Sequence, residues 1–257
     1  MKRRIDQILV ERGITESRHK AQALLLAGRI LVNEQKVEKP GQQVDPEADI
    51  RVLHQVQFAS RAGAKLQGAL DHFQIRIDGR VCADLGASTG GFTDCLLQNG
   101  ASRIYAFDVG HGQMDWRLRS DPRVVVRDGF NVRHLCPADL PARISFVCAD
   151  LSFISVTKIL LPLRDALLAP AGRAGETDPE FPADIVVLVK PQFEVGKGEV
   201  GKGGIVRDPA KRLGALQAVS DFARQSGYIV AGSIPSPIAG AEGNREFLLY
   251  LQLAMGL

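Results

Sequence analysis

The chain holds 257 residues, 45% hydrophobic and 24% charged, with a formal net charge of +3. That length buries a full core and accommodates one large domain beside a small one, while the charge is too small to argue by itself for a polyanionic partner. No apolar run approaches the ~20 residues of a membrane span, and the basic start Met1–Arg4 runs into Ile5-Asp6-Gln7 instead of an apolar secretory segment. Cys82, Cys95, Cys136 and Cys148 lack metal-ligand spacing. The expectation is therefore a cytoplasmic protein with buried free thiols, no metal and no membrane association.

Residues 1–53 read as a compact α+β unit. Ile5, Ile8, Leu9 and Ile14 space a short amphipathic helix ending near Gly13, and Ser17 can cap a second helix over 18–27. Gly28 closes that helix. Ile30–Val32 and Lys36-Val37 flank a turn at Asn33–Gln35 as a hairpin, and 50–53 forms a closing strand. Residues 1–39 carry nine Lys/Arg against five Asp/Glu, an excess that suits a nucleic-acid surface or simply a solvated one.

Residues 54–59 have no periodicity and read as a linker to a second domain, 60–257. A helix opens at Ser60, with Leu66, Ala69, Leu70 and Phe73 on one face, and leads to a strand over 80–84. The stretch Asp84-Leu85-Gly86-Ala87-Ser88-Thr89-Gly90-Gly91-Phe92 then reads as strand end, glycine-rich turn and helix start. Gly86, Gly90 and Gly91 would let a ligand approach bare backbone and permit φ values that other residues resist. Further strands are expected at 104–108, 124–127, 144–150, 184–190, 228–232 and 246–253, with helices at 156–168 and 209–226. Such alternation implies a mostly parallel sheet with helices on both faces, and its last two strands, with no helix between them, an antiparallel edge pair. Pro170–Ala183 and Glu194–Pro209 read as loops. Within the second, Gly196–Lys202 imitates a phosphate-binding loop, but Gly203 stands where Ser or Thr must hold magnesium.

Successive strands end in Asp84, Asp108, Asp128, Asp150 and Lys190, on the sheet edge where such folds bind ligands. Any one of these acids is as readily a helix cap; the succession argues for a site. Asp108 falls roughly 20 residues past the glycine turn, where an acid receives ribose hydroxyls. Carboxylates there suit a cofactor with a cationic centre, ribose and adenine, which S-adenosylmethionine has. A pyrophosphate dinucleotide would prefer a second glycine in Gly86-Ala87-Ser88. No role is assigned to Arg133 or Lys158.

Two resemblances sharpen this reading. Arg4-Ile5-Asp6, Ser17-Arg18 and Ala27–Asn33 resemble the small RNA-binding domain named after a ribosomal small-subunit protein, which implies that Arg4, Arg18, Lys20 and Arg29 meet phosphates. Asp84–Phe92 resembles the first motif of S-adenosylmethionine-dependent methyltransferases, with Asp84, Gly86, Ser88, Gly90, Gly91, Phe92, Asp108, Asp128 and Asp150 on the cofactor. At Asp128 the family more often carries Glu. Lys65, Asp150, Lys190 and Glu246 look like the Lys-Asp-Lys-Glu tetrad of FtsJ-type RNA ribose methyltransferases. Ala149–Ser155 and Lys190–Gly198 are similar to strings of the TlyA (haemolysin A-like) family over nearly the whole chain. That resemblance implies a Rossmann-like class I methyltransferase sheet and 2′-O-methylation of cytidine in ribosomal RNA, with ribosomal subunits as partners. The chemistry is coherent, since a ribose hydroxyl needs in-line positioning and a proton acceptor. Lys190 is the expected acceptor, Lys65 its cationic neighbour, Asp150 its orienter, and Glu246 the holder of Lys65 or the ribose. A non-catalytic RNA-binding factor and a membrane-lytic protein are the alternatives; the absence of an amphipathic basic helix in the sequence weighs against the second.

Overall fold

The computed structural model describes residues 2–26, 28–52, 58–168, 183–196, 198–201, 203–240 and 243–253. Residues 54–57 of the linker expected at 54–59, most of the excursion expected at 170–183, and Lys197 and Lys202 of the glycine-lysine loop lie outside the described residues. The chain divides into two compact units, Met1–Gln57 and Phe58–Leu257.

In the first unit α1 (Ile5–Glu11) and α2 (Arg18–Leu26) pack on short strands. Ile5, Leu9, Ala21, Leu25 and Ile30 are completely buried, which is where the spacing of apolar residues put the core. Ser17 Oγ accepts from Lys20 N at 3.3 Å and caps α2. Strands β2 (Ile30–Val32) and β3 (Gln35–Val37) pair through a two-residue turn, with Asn33 at φ 49° and Glu34 at φ 63°, the left-handed pair that hairpin twist demands. Strand β5 (Ile50–Val52) joins β2 on its other side. Two strands too short to show periodicity, β1 (Arg3–Arg4) and β4 (Gln43–Val44), pair with each other.

The second unit is built on a seven-stranded sheet. Parallel strands β6 (Val81–Leu85), β7 (Arg103–Phe107), β8 (Val124–Arg127), β9 (Phe146–Ala149) and β10 (Asp184–Val189) are joined by β11 (Tyr228–Pro235) and β12 (Phe247–Leu253) in the order β11-β12-β10-β9-β6-β7-β8. Side chains of β10 alternate between two cores. Val186 and Leu188 meet α3 (Ala62–Phe73) and α4 (Gly91–Gln98), while Ile185, Val187 and Val189 meet α6 (Thr157–Leu168) and α8 (Pro209–Gln225). Phe58, placed in the linker by the sequence, is buried against α3: a Cβ on Gly63 would collide with its ring.

The final two strands form the expected antiparallel pair at the sheet edge, with β11 outermost. β12 inserts between β10 and β11, antiparallel to both. Leu248 faces one core and Leu249, Leu251 and Leu253 the other, so β12 is buried on both faces as an interior strand must be. After the buried Tyr228, β11 alternates exposed and half-buried residues, and it takes the edge.

At the opposite end of the strands, Asp184 is 7% exposed and accepts hydrogen bonds from Arg80 Nη1 (2.6 Å), Tyr250 Oη (2.6 Å) and Gln252 Nε2 (3.0 Å). This carboxylate ties β6, β10 and β12 together. Asp184→Ala takes the carboxylate away from a largely buried guanidinium and is expected to cost about 3 kcal/mol in urea unfolding. Asp121→Ala, which breaks the more exposed pair with Arg123, should cost less than about 1 kcal/mol.

Candidate active site

Strand register sets the site. Leu85 pairs with Ala149, Ala149 with Val187, and Val189 with Phe247. Gly86, Asp150 and Lys190 therefore follow the ends of parallel strands. Glu246, preceding a strand that runs the other way, arrives at the same edge. Three strand spacings separate Gly86 from Glu246, roughly 14 Å.

Two ion pairs occupy this edge. Lys190 Nζ lies 2.7 Å from Asp150 Oδ1 and donates to Ser152 Oγ at 2.9 Å; the Phe193 ring centroid is 5.9 Å away. Lys65 Nζ, reaching in from α3, lies 2.5 Å from Glu246 Oε2. The Lys65 and Glu246 side chains are 9% and 2% exposed, so this is no solvated surface pair; it bears a desolvation cost that only good geometry offsets. A Cβ at Gly240 would collide with the Glu246 carboxylate. Of the two partners expected for Glu246, Lys65 or the ribose, the structure shows Lys65 in contact with it.

The glycine turn differs in detail from the sequence reading. Gly86 and Gly90 adopt φ of 86° and 92° as expected. What crowds their missing side chains is the protein itself: a Cβ on Gly86 would sit 2.6 Å from the Asp150 carbonyl oxygen, one on Gly90 would strike Leu118, and one on Gly91 the Ser60 hydroxyl. These glycines let neighbouring segments close on the turn, and the Gly86 contact locks the β6 and β9 ends together.

Asp84 and Phe92 lie beneath the turn. Asp84 is completely buried, its Oδ2 taking the Thr93 hydroxyl at 2.6 Å while Oδ1 has no hydrogen-bond partner among the described residues. Burial pushes its carboxyl up to about 7. Phe92, 2% exposed, packs in the core under α4. Asp108 and Asp128 are more open. Asp108 accepts from Ser88 N at 2.8 Å and Gly110 N at 2.7 Å; Asp128 accepts from Gly112 N at 3.2 Å and pairs with Arg119 at 2.8 Å. Ser88 is exposed, its hydroxyl 3.1 Å from Gln113 Oε1. Sequence reasoning missed Thr93, Gln113, Ser152 and Phe193. Ser152 and Phe193 stand inside the singled-out strings, but only the fold turns them toward Lys190.

In the first unit Asp6, wholly buried, accepts from Arg4 Nε and Nη2 (both 3.0 Å), Arg18 Nε (2.9 Å) and Gln22 Nε2 (3.2 Å). Its carboxyl is held far below the usual range, chiefly by Arg4. An acid that counted against the basic excess in fact aims two of its cations. Lys20 pairs with Glu16, and Lys20 and Arg29 line a cavity of about 570 Å³ with Ile14 and Leu24.

The donor set on the sheet edge fits S-adenosylmethionine. Asp108 retains lone pairs that a diol would fill, and Asp150 is an acid beside the Gly86 turn, suited to a cationic centre. The family model described as FtsJ-like methyltransferase matches residues 58–253, and that of the S4 domain residues 3–50. The 16S/23S rRNA (cytidine-2'-O)-methyltransferase TlyA of Mycobacterium tuberculosis is 44% identical over 251 residues, covering 97% of this chain and 89% of its own. The Bacillus subtilis protein named "Putative rRNA methyltransferase YqxC" is 43% identical over 252 residues, covering 97% and 85%. A solved structure named "Putative hemolysin" from Streptococcus thermophilus superposes with a TM-score of 0.73 at 37% identity, covering 98% of this chain and 89% of that one.

Asp84 generates a pH dependence. Its folded pKa, about 7, stands above its ordinary value of 3.8, so its favourable contribution is complete below about pH 4 and is lost as pH rises through 7. In urea unfolding at pH 5 and pH 8, the wild type should lose about 2 kcal/mol more than Asp84→Asn over that interval.

Proposed function

The chain belongs to the TlyA family of FtsJ-like methyltransferases, and on that premise we propose that it methylates the 2′-hydroxyl of cytidine in ribosomal RNA, using S-adenosylmethionine, within or on the way to ribosomal subunits in the cytoplasm. The observation that carries the reading is the pair of buried Lys-carboxylate contacts, Lys190–Asp150 and Lys65–Glu246, on consecutive strand ends beside the Gly86 turn. When bound, S-adenosylmethionine supplies an electrophilic methyl group on a sulfonium that leaves as a neutral thioether. Asp108 would hold its ribose, Asp128 its adenine side, and Gly86, Ser88 and Gly90 its backbone-facing edge. Asp84, Gly91 and Phe92 support that edge from beneath.

The chain's own residues then have separate tasks. Asp150 and Ser152 fix the orientation of Lys190 Nζ, leaving its remaining position for the ribose hydroxyl. Lys190 serves as the acceptor of the hydroxyl proton as the methyl passes to the ribose oxygen. Glu246 holds Lys65 at the acceptor end, where the lysine steadies the ribose in line with the methyl. Burial keeps water from competing at both pairs. In the first unit Arg4 and Arg18, braced by Asp6, with Lys20 and Arg29, read phosphates and shape in folded RNA. A membrane-lytic reading, suggested by a relative's name, finds no support here: among the described residues no helix is long and apolar enough to cross a membrane.

Lys190→Ala should lower methyl transfer to ribosomal subunits about 10³-fold, with S-adenosylmethionine affinity by calorimetry within threefold of wild type; loss of cofactor binding would refute the assignment. Asp6→Asn removes a negative charge yet should weaken RNA binding five- to tenfold in anisotropy titrations, because Arg4 and Arg18 lose their brace. Tighter binding would show that charge alone matters there.

A further inference from the structure

We propose that a cavity at the β12 end of the sheet edge seats the nucleotide next to the methylated ribose, with Arg212 and Arg245 on its phosphates. This rests on the RNA methyltransferase reading. The cavity, about 430 Å³, lies between the first turn of α8 and the junction of β11 with β12, a volume suited to one nucleotide-sized group. Leu213, 58% exposed, with Pro235 and Ile238, forms an apolar wall for a base. Glu246, the carboxylate that holds Lys65, belongs to the same lining.

Strand order gives the direction. Asp128 and Asp108 stand at β8 and β7, the glycine turn at β6, then Asp150, Lys190 and Glu246, and last the cavity. A methyl donor lying along the acid end leaves the acceptor strand on the β12 side.

The two arginines suit this role. Both line the cavity, and among the described residues neither Arg212 nor Arg245 has a carboxylate at ion-pair distance. Arg245 also springs from a fixed base. Asn244, 3% exposed, accepts from Val206 N at 3.2 Å and donates to Gly204 O at 3.0 Å, while its carbonyl accepts from Gly240 N at 2.9 Å. Glu246, on the other side of Arg245, is also buried. Guanidinium groups without a carboxylate partner among the described residues suit a phosphodiester.

The test uses the full chain, ribosomal subunits as substrate, and the double variant Arg212→Ala/Arg245→Ala beside Arg212→Lys/Arg245→Lys. The alanine variant should raise KM for subunits at least tenfold, with kcat within threefold and cofactor affinity unchanged. In anisotropy titrations of an eight-nucleotide cytidine-containing RNA, its slope of log affinity against log salt should shrink by about 1 per arginine. The lysine variant should recover part of the KM change. An unaltered KM overturns the proposal. If wild-type protein methylates no ribosomal RNA, the functional reading falls; the salt slope then decides the cavity's role, and an unchanged slope refutes it.

Discussion

The reversal of one strand organises the second unit. In a wholly parallel sheet every strand begins at the edge far from the ligand side. β12 runs backward, so its first residue arrives where β9 and β10 end, and Glu246 comes within 2.5 Å of a lysine 181 residues away in sequence. What holds β12 in that slot is apolar burial on both faces, with the Asp184 network fastening its far end. A one-residue slip in its register would move every leucine to the opposite face and carry Glu246 away from Lys65.

The protein's buried charges follow one rule with an informative exception. Asp6, Asp184 and Glu246 are each nearly or wholly removed from water, and each has a cation at 2.5–3.0 Å. Such arrangements contribute geometry more dependably than stability, because desolvation offsets much of the attraction. In the first unit that geometry fans two guanidiniums from a single carboxylate; in the second it anchors Lys65. Asp84 has no cation among the described residues; it takes the Thr93 hydroxyl, and burial drives it toward its neutral form. An acid that is half protonated near neutrality sits below the turn that approaches the Asp150 backbone, linking proton uptake to the stability of the site's floor.

Alternation of strands and helices was legible because apolar periodicity is a local property: the spacing of Leu66, Ala69 and Leu70, or of Ile5, Ile8 and Leu9, reports a buried face wherever the rest of the chain goes. The short pieces escaped notice. β1 and β4 have two residues each and α5 (Trp116–Arg119) and α7 (Pro191–Glu194) four, too few for any period, and they exist because tertiary partners hold them. Phe58 could not be placed from sequence either, since its burial depends on the absence of a side chain at Gly63, five residues on.

The sequence by itself determined the fold class and its family, through hydrophobic period and strings such as Asp84–Phe92 and Lys190–Gly198, and it named the polar residues at the strand ends. It could not say which lysine meets which carboxylate, that Gly86 clears a path for the Asp150 carbonyl, that Asp84 and Phe92 lie beneath the turn, or that Asp6 braces two arginines. Those are distances between residues remote in the chain. They follow from strand order and register, which are fixed by packing both faces of the sheet at once and leave no mark on any local stretch of residues.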